Sequence, residues 1–168
     1  GGDVYADLGA FEFAETAAAN VDLIVNWVTG PGHVTAGGVA DLEWNVTNVG
    51  SEPAAPRHDR VTLVADVPTR GVTELKLDEA WSDGLAPGES TICRRRVQVP
   101  GGTEGNWRWQ VHANVSGEVF EGANWTNNTS PLSAAVDLRV PQLQAGIAVN
   151  SFFDHGGDAC WYKVRQPA

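Results

Sequence analysis

Carboxylate and amide oxygens are concentrated in one bend of the sequence, between Gly117 and Asn128. Ca²⁺ in proteins takes about six to eight oxygen ligands, which carboxylates, side-chain amides and backbone carbonyls supply. Asp59, on a neighbouring predicted strand, can join this bend, and the candidate ligands are Asp59, Glu118, Glu121, Asn127 and Asn128. The alternative is that the Asn side chains form hydrogen bonds with the bend's own backbone, as Asn does in tight turns.

Two tryptophans, Trp81 and Trp125, lie in polar, turn-like stretches of the sequence. A tryptophan ring packs on the C–H surface of a sugar, and exposed aromatic patches mark binding sites. These two residues are therefore candidate glycan contacts. Trp107 and Trp109 share one face of a predicted strand, so they belong either to the core or to an exposed aromatic platform.

The two cysteines, Cys93 and Cys160, are candidates for one disulfide, and such a bridge would stabilise the fold by on the order of 4 kcal/mol if the geometry allows it. Neither belongs to a Cys-x-x-Cys motif. The sequence also contains no Gly-x-Ser-x-Gly nucleophile elbow and no His-Glu-x-x-His zinc motif. The sequence therefore predicts a protein that is not an enzyme.

The elements that must position these residues are predicted strands. Apolar residues occupy every second position from Ala40 to Val46, which indicates a half-buried strand over residues 39–47. Similar patterns between Gly/Pro turns predict further strands at residues 22–28, 59–65, 72–77, 90–99, 106–113 and 131–140. Seven short strands without a long helix are typical of an all-β fold, an immunoglobulin-like two-sheet antiparallel sandwich.

Charge is unevenly distributed along the chain. The formal net charge of −10 disfavours binding to nucleic acid or to an anionic membrane surface, and no apolar run is long enough for a transmembrane helix. Residues 1–56 carry eight acidic residues and no Lys or Arg, whereas Arg94, Arg95 and Arg96 are consecutive. The three arginines either protect an edge strand by charge or meet the acidic end of a neighbouring molecule.

Residues 21–140 resemble the CARDB domain, a cell-adhesion-related immunoglobulin-like module of bacteria and archaea. The resemblance lies in the order of several motifs: Asp22-Leu-Ile-Val25, Trp44-Asn-Val-Thr-Asn-Val-Gly50, Asp59-Arg-Val-Thr-Leu63, Leu85-Ala-Pro-Gly-Glu-Ser90 and Gly117-Glu-Val-Phe-Glu-Gly-Ala-Asn-Trp-Thr-Asn127. One departure is that Arg57-His58 replaces the family's usual aromatic residue before the Asp-Arg pair. The resemblance implies a seven-stranded sandwich in extracellular proteins and implies no particular ligand.

The two flanks of the sandwich contain strand-like segments without an obvious partner. Residues 1–20 are predicted to be an N-terminal extension or an exchanged strand. Residues 141–168 are predicted to form a C-terminal β-hairpin around the turn Asp154–Asp158. The tail, including Gly157-Asp-Ala-Cys-Trp-Tyr-Lys-Val164, resembles the opening strands of the bacterial pre-peptidase C-terminal domain.

An isolated hairpin is marginal in water, so the flanking strands are expected to pair with another sheet. The sequence therefore predicts an extracellular or cell-surface structural and adhesive module that associates with itself or with neighbouring domains of the same protein. Strand exchange between copies would build a filament. The alternative is an accessory carbohydrate-binding module of a secreted polysaccharide-degrading enzyme, in which Trp81 and Trp125 contact glycans. Ca²⁺ is the only cofactor that the sequence suggests.

Overall fold

The computed structural model describes residues 21–69, 72–144, 146–148 and 161–164. Apart from a short 3-10 helix at Gly122–Asn127, the regular elements of this part of the chain are strands. They are β1 (Leu23–Thr29), β2 (His33–Thr35), β3 (Val39–Asn48), β4 (Arg57–Thr69), β5 (Val72–Ser82), β6 (Ser90–Gln98), β7 (Gly105–His112), β8 (Ala135–Arg139), β9 (Gln142–Leu143) and β10 (Lys163–Val164).

Eight of these strands form two sheets. Sheet 1 has the order β1-β3-β6, and sheet 2 has the order β2-β8-β7-β4-β5. All strand pairs in the two sheets are antiparallel except β2 with β8, which run parallel. The prediction of an immunoglobulin-like two-sheet sandwich is confirmed, with one parallel pair at an edge of sheet 2.

The core lies between the two sheets, because each strand places alternate side chains on its inner face. In β3, Leu42, Trp44 and Val46 are buried while the residues between them are not. Trp107 and Trp109 of β7 are also buried, so they belong to the core and not to an exposed platform. A side chain at Gly30 would displace core residues, because an added Cβ would lie 2.1 Å from Leu42 Cδ2 of sheet 1 and 2.8 Å from Trp109 Nε1 of sheet 2.

The observed strands extend or supplement the predicted ones. β4 and β5 continue past residues 65 and 77 as a long hairpin, and β2 is a three-residue strand that the sequence pattern does not indicate. The Asn-rich bend contains the 3-10 helix Gly122–Asn127. No helix in the described part of the chain has the length and apolar character needed to cross a membrane.

The tail is described only in part. β10 pairs in parallel with β9, and Lys163 Nζ donates a hydrogen bond of 2.5 Å to Glu104 Oε2. This pairing differs from the antiparallel ladder of the predicted C-terminal hairpin. The predicted turn, Asp154–Asp158, lies outside the described residues, as does the N-terminal extension, residues 1–20. The two flanking segments therefore stay predictions.

Candidate functional site

The loop after β7 is built around the side chain of Asn114. Asn114 has a positive φ of 53°, a conformation that Asn tolerates better than most residues. Its Oδ1 accepts a hydrogen bond of 3.0 Å from Val119 N, and its Nδ2 donates one of 2.7 Å to Val119 O. The Asn114 side chain therefore satisfies the backbone of its own loop.

Glu121 anchors the same loop to the sandwich. Its buried carboxylate accepts hydrogen bonds from Leu23 N at 2.7 Å, Asn114 Nδ2 at 2.6 Å and Asn128 Nδ2 at 2.7 Å. The first of these bonds joins the loop to the start of β1. Glu121 is therefore an acceptor for three N–H groups that would otherwise lack a partner.

Asp59 is the acceptor at the centre of a second group of buried donors. It lies beside Arg57, with 3.1 Å between Arg57 Nε and Asp59 Oδ1, and neither side chain is exposed to solvent. Asp59 also accepts hydrogen bonds from Trp44 Nε1, Ser82 Oγ and Asn114 N. Because Asn114 contacts both carboxylates, the two groups form one buried polar network.

The five candidate calcium ligands do not surround a common point. Asp59, Glu121 and Asn128 belong to the buried polar network, whereas Glu118 pairs with His58 and Asn127 donates to Asp22 Oδ1 at 2.9 Å. Within the described ranges, no three His, Cys, Asp or Glu side chains converge as metal ligands. The oxygens of Asp59 and Glu121 already accept N–H and O–H donors. The structure thus gives these side chains partners within the protein, and calcium binding stays a prediction.

Burial and hydrogen bonding shift the pKa of Glu118 in opposite directions. Burial raises the pKa of the Glu118 carboxyl, but its hydrogen bonds with His58 and the backbone and the charge of His58 together outweigh burial. The pKa of Glu118 therefore lies below its usual value. Glu118 is charged at neutral pH and holds the loop against β4 through His58.

A pocket of about 420 Å³, here called the loop pocket, lies between the end of β7 and the loop. Phe120 and Trp125 stand at its rim and are exposed. Glu121 and Asn128 are buried and line the pocket, as does the half-buried His112. Burial lowers the pKa of His112, so its imidazole is neutral at neutral pH. The loop pocket therefore combines aromatic faces with one carboxylate, Glu121, and with the uncharged polar groups of His112 and Asn128.

A second cavity, here called the edge groove, has a volume of about 350 Å³ and lies between β5 and β6. Trp81 and Ile92 are exposed on its two sides, and Trp44 and Cys93 line its base. The Trp81 ring also makes an edge contact with the ring of His58, with 4.7 Å between the ring centroids. The two candidate glycan contacts, Trp81 and Trp125, therefore line different cavities.

The three consecutive arginines of β6 are all paired with acidic residues. Arg94 binds Glu43, Arg95 binds Asp78 and Arg96 binds Asp41, at N–O distances of 2.6, 2.6 and 2.8 Å. Arg94 and Arg96 face their partners directly across the β3–β6 ladder. This pairing fits the interpretation of an edge strand carrying charge, while the guanidinium groups remain largely exposed.

Cys93 is a free thiol in the structure, and its Sγ lies 3.6 Å from Ser82 Oγ. Cys160 lies outside the described residues, so the predicted disulfide is untested. Burial raises the pKa of the Cys93 thiol, which lowers its thiolate fraction at neutral pH. We expect iodoacetamide at pH 7.5 to alkylate Cys93 slowly in the folded protein and quickly in urea, as measured by mass spectrometry. Equal rates in both states would contradict this expectation.

Sequence reasoning did not single out Phe120 or His112. Phe120 appeared only as part of the motif Gly117-Glu-Val-Phe-Glu-Gly122, and nothing in its spacing distinguishes an exposed aromatic from a buried one. His112 ends a strand that has an inner and an outer face. Only the position of the loop shows that both residues border one pocket.

The strand order and the core define the class of this protein, a β-sandwich module of immunoglobulin-like architecture. The particular fold is that of a CARDB domain. The chain is similar to the CARDB domain of the PF1109 protein from Pyrococcus furiosus, solved in complex with di-metal ions, with 22% identity and a TM-score of 0.51. The match covers 71% of this chain and 94% of that domain.

Two β-glucosidases illustrate the other structural matches. β-Glucosidase 3B from Thermotoga neapolitana has 12% identity and a TM-score of 0.49, and a mutant (D270A) β-glucosidase from Listeria innocua has 13% identity and a TM-score of 0.46. The matches cover 70% and 71% of this chain, respectively, but only 16% of each enzyme. No protein-family model and no curated protein matches the sequence.

Proposed function

We propose that this protein is an extracellular, non-catalytic structural module whose copies join through an added strand at the edge groove. The observation that carries the proposal is the arrangement of β5 and β6. Each is the last strand of its sheet among the described residues, and the edge groove lies between them. An edge strand has a row of unpaired N–H and C=O groups that can pair with a further strand.

Exposed apolar side chains beside the edge groove support the same function. Ile92 of β6 is 46% exposed and Trp81 of β5 is 59% exposed. An added strand would cover both side chains while its backbone pairs with β5 or β6. Backbone pairing supplies affinity in such complexes, and the side-chain contacts supply specificity.

The proposed occupant of the groove is residues 1–20 of a second copy. This segment contains Asp3, Asp7, Glu12 and Glu15 but no Lys or Arg. Arg94 and Arg95 line the groove and remain largely exposed although they are paired. The sequence Phe11-Glu-Phe13 has the alternation of a strand with one apolar face. Charge and pattern therefore favour this segment as the donor strand.

Joining copies in this way would produce a filament, because the donor segment and the acceptor groove are different surfaces of the chain. An adhesive function at the cell surface would follow if such filaments project from the cell. The alternative, a carbohydrate-binding module in which Trp81 and Trp125 act together, has less support because the two residues line different cavities.

The Ile92→Asp substitution is expected to weaken self-association by about tenfold or more, because it places a charge where the added strand would pack. The Phe11→Asp/Phe13→Asp double variant should have the same effect from the donor side. Sedimentation velocity over a concentration series measures the association, and negative-stain microscopy shows whether filaments form.

Val39→Asp is the matched control. Val39 is 51% exposed on β3, close to the 46% of Ile92, but β3 is the central strand of sheet 1 and has no open edge. This variant should associate as the unmodified protein does. A wild-type protein that stays monomeric at millimolar concentration, or equal behaviour of Ile92→Asp and Val39→Asp, would exclude strand addition at this groove.

A further inference from the structure

The loop pocket has two aromatic side chains at its rim that no described contact accounts for. Phe120 is 71% exposed and Trp125 is 59% exposed, although both are large apolar residues. Trp125 belongs to the 3-10 helix, and Phe120 precedes that helix by two residues. Both therefore sit on a loop that hydrogen bonds hold firmly in place, through Asn114 and Glu121.

The polar lining of the loop pocket contains an acceptor without a donor. Asn128 is 1% exposed, and its Nδ2 donates to Glu121 Oε1, but its Oδ1 accepts no hydrogen bond within the described part of the chain. A buried polar atom that lacks a partner costs free energy. A ligand that brings a hydroxyl donor to this point would recover that cost.

The charge of the loop pocket also restricts the charge of the ligand that it can bind. Glu121 is a buried carboxylate whose hydrogen-bond donors are the backbone of Leu23 and two neutral Asn side chains. The neighbouring imidazole of His112 is neutral, because burial lowers its pKa. An anionic group in this pocket would lie beside the Glu121 carboxylate, so the pocket disfavours phosphate, sulfate and carboxylate ligands.

We propose that the loop pocket binds a neutral oligosaccharide. A sugar ring has an apolar C–H face, which can stack on Trp125 and Phe120, and hydroxyl groups at its edge. One of these hydroxyls donates to Asn128 Oδ1, and His112 exchanges hydrogen bonds with a second one.

This site is independent of strand addition. The edge groove is bounded by β5 and β6, whereas the loop pocket is lined by the end of β7 and by residues 114–128. The two sets of lining residues share no member. A protein that fails to form filaments can therefore still bind a sugar at the loop pocket, and the reverse also holds.

The test uses the full chain and three neutral hexasaccharides, namely cellohexaose, maltohexaose and laminarihexaose. Isothermal titration calorimetry is the readout, because the variants change the tryptophan fluorescence themselves. At least one hexasaccharide should bind with saturation, and Trp125→Ala should weaken that binding about tenfold or more. Phe120→Ala should also weaken it, and hexagalacturonate should bind at least tenfold more weakly.

Trp81→Ala is the matched control, because Trp81 and Trp125 are equally exposed at 59% and only Trp125 lines the loop pocket. This variant should keep its affinity within about twofold. No binding of any hexasaccharide would overturn the proposal. An equal loss in Trp81→Ala and Trp125→Ala, or tighter binding of hexagalacturonate, would also overturn it.

Discussion

Replacement of Asp59 by Ala is expected to lower the free energy of unfolding by about 3–5 kcal/mol. Among the described residues, Asp59 is the only acidic partner of the buried Arg57 side chain, which is fully inaccessible to solvent. Without Asp59 the guanidinium would remain in the core as an uncompensated charge. Trp44 Nε1 and Ser82 Oγ would lose their acceptor at the same time. Urea denaturation followed by tryptophan fluorescence measures the change.

The effect of Asp59→Ala can be separated from the loss of any carboxylate by the control Asp41→Ala. Asp41 also pairs with an arginine, Arg96, but that pair lies on the outer face of sheet 1 and is exposed. Exposed ion pairs contribute little to stability, so this variant should unfold at nearly the same urea concentration as the unmodified protein. Equal losses in the two variants would mean that the buried pair has no special role.

The hydrogen bonds of Arg57 explain part of the large destabilisation that we expect for Asp59→Ala. Its Nε donates to Asp59 and its Nη1 donates to Asp83 O, but its Nη2 is buried without a described acceptor. This unsatisfied donor already lowers the stability of the folded protein. The charge of Asp59 offsets this loss of stability. Removal of Asp59 should therefore lower the free energy of unfolding more than removal of an ordinary hydrogen-bond acceptor.

The strands of the sandwich were predictable from the sequence because burial alternates along them. In β3 and β7 every second residue faces the opposite sheet, and the apolar residues follow that period. In β2 the alternation covers only three residues, and the partner strand, β8, lies about one hundred residues further along the chain. A pairing so distant and so short leaves no local signal.

The candidate metal ligands show that hydrogen-bond partners from distant strands cannot be predicted from the sequence. Oxygen-rich residues around 118–128 are visible in the sequence, but the donors that reach them are not. Asp59 receives Trp44 Nε1 from β3, and Glu121 receives Leu23 N from the start of β1. Because these donors come from other strands, only the fold reveals that the two carboxylates are acceptors in a buried polar network.

Exposure of the tryptophans could be predicted in part, from the strand pattern and from polar neighbours. Trp44, Trp107 and Trp109 follow the alternation of their strands and are buried. Trp125 lies in a loop, where its polar neighbours suggest an exposed side chain and the structure confirms it. The pocket beside Trp125 depends on how the loop folds over the end of β7, which follows from Asn114 and Glu121.

Replacement of Glu121 by Ala is expected to lower the free energy of unfolding by about 3–5 kcal/mol, because three buried donors lose their acceptor and each such loss costs about 1–3 kcal/mol before relaxation. The donors are Leu23 N and the side-chain amides of Asn114 and Asn128. Urea denaturation measures the global change. Glu118→Ala, three residues earlier in the same loop, is the control and should destabilise far less, because Glu118 is partly exposed.

Hydrogen exchange distinguishes a local effect of Glu121→Ala from general destabilisation. The amide of Leu23 donates directly to Glu121 Oε2, whereas the amide of Val111, in the middle of sheet 2, donates to Ser130 Oγ and makes no hydrogen bond with the carboxylate. If Glu121 holds the loop against β1, the Leu23 amide should lose more protection than the global loss of stability requires, and Val111 should follow the global value. Parallel changes at both amides would show that Glu121 contributes only to overall stability and does not fasten this end of the sandwich.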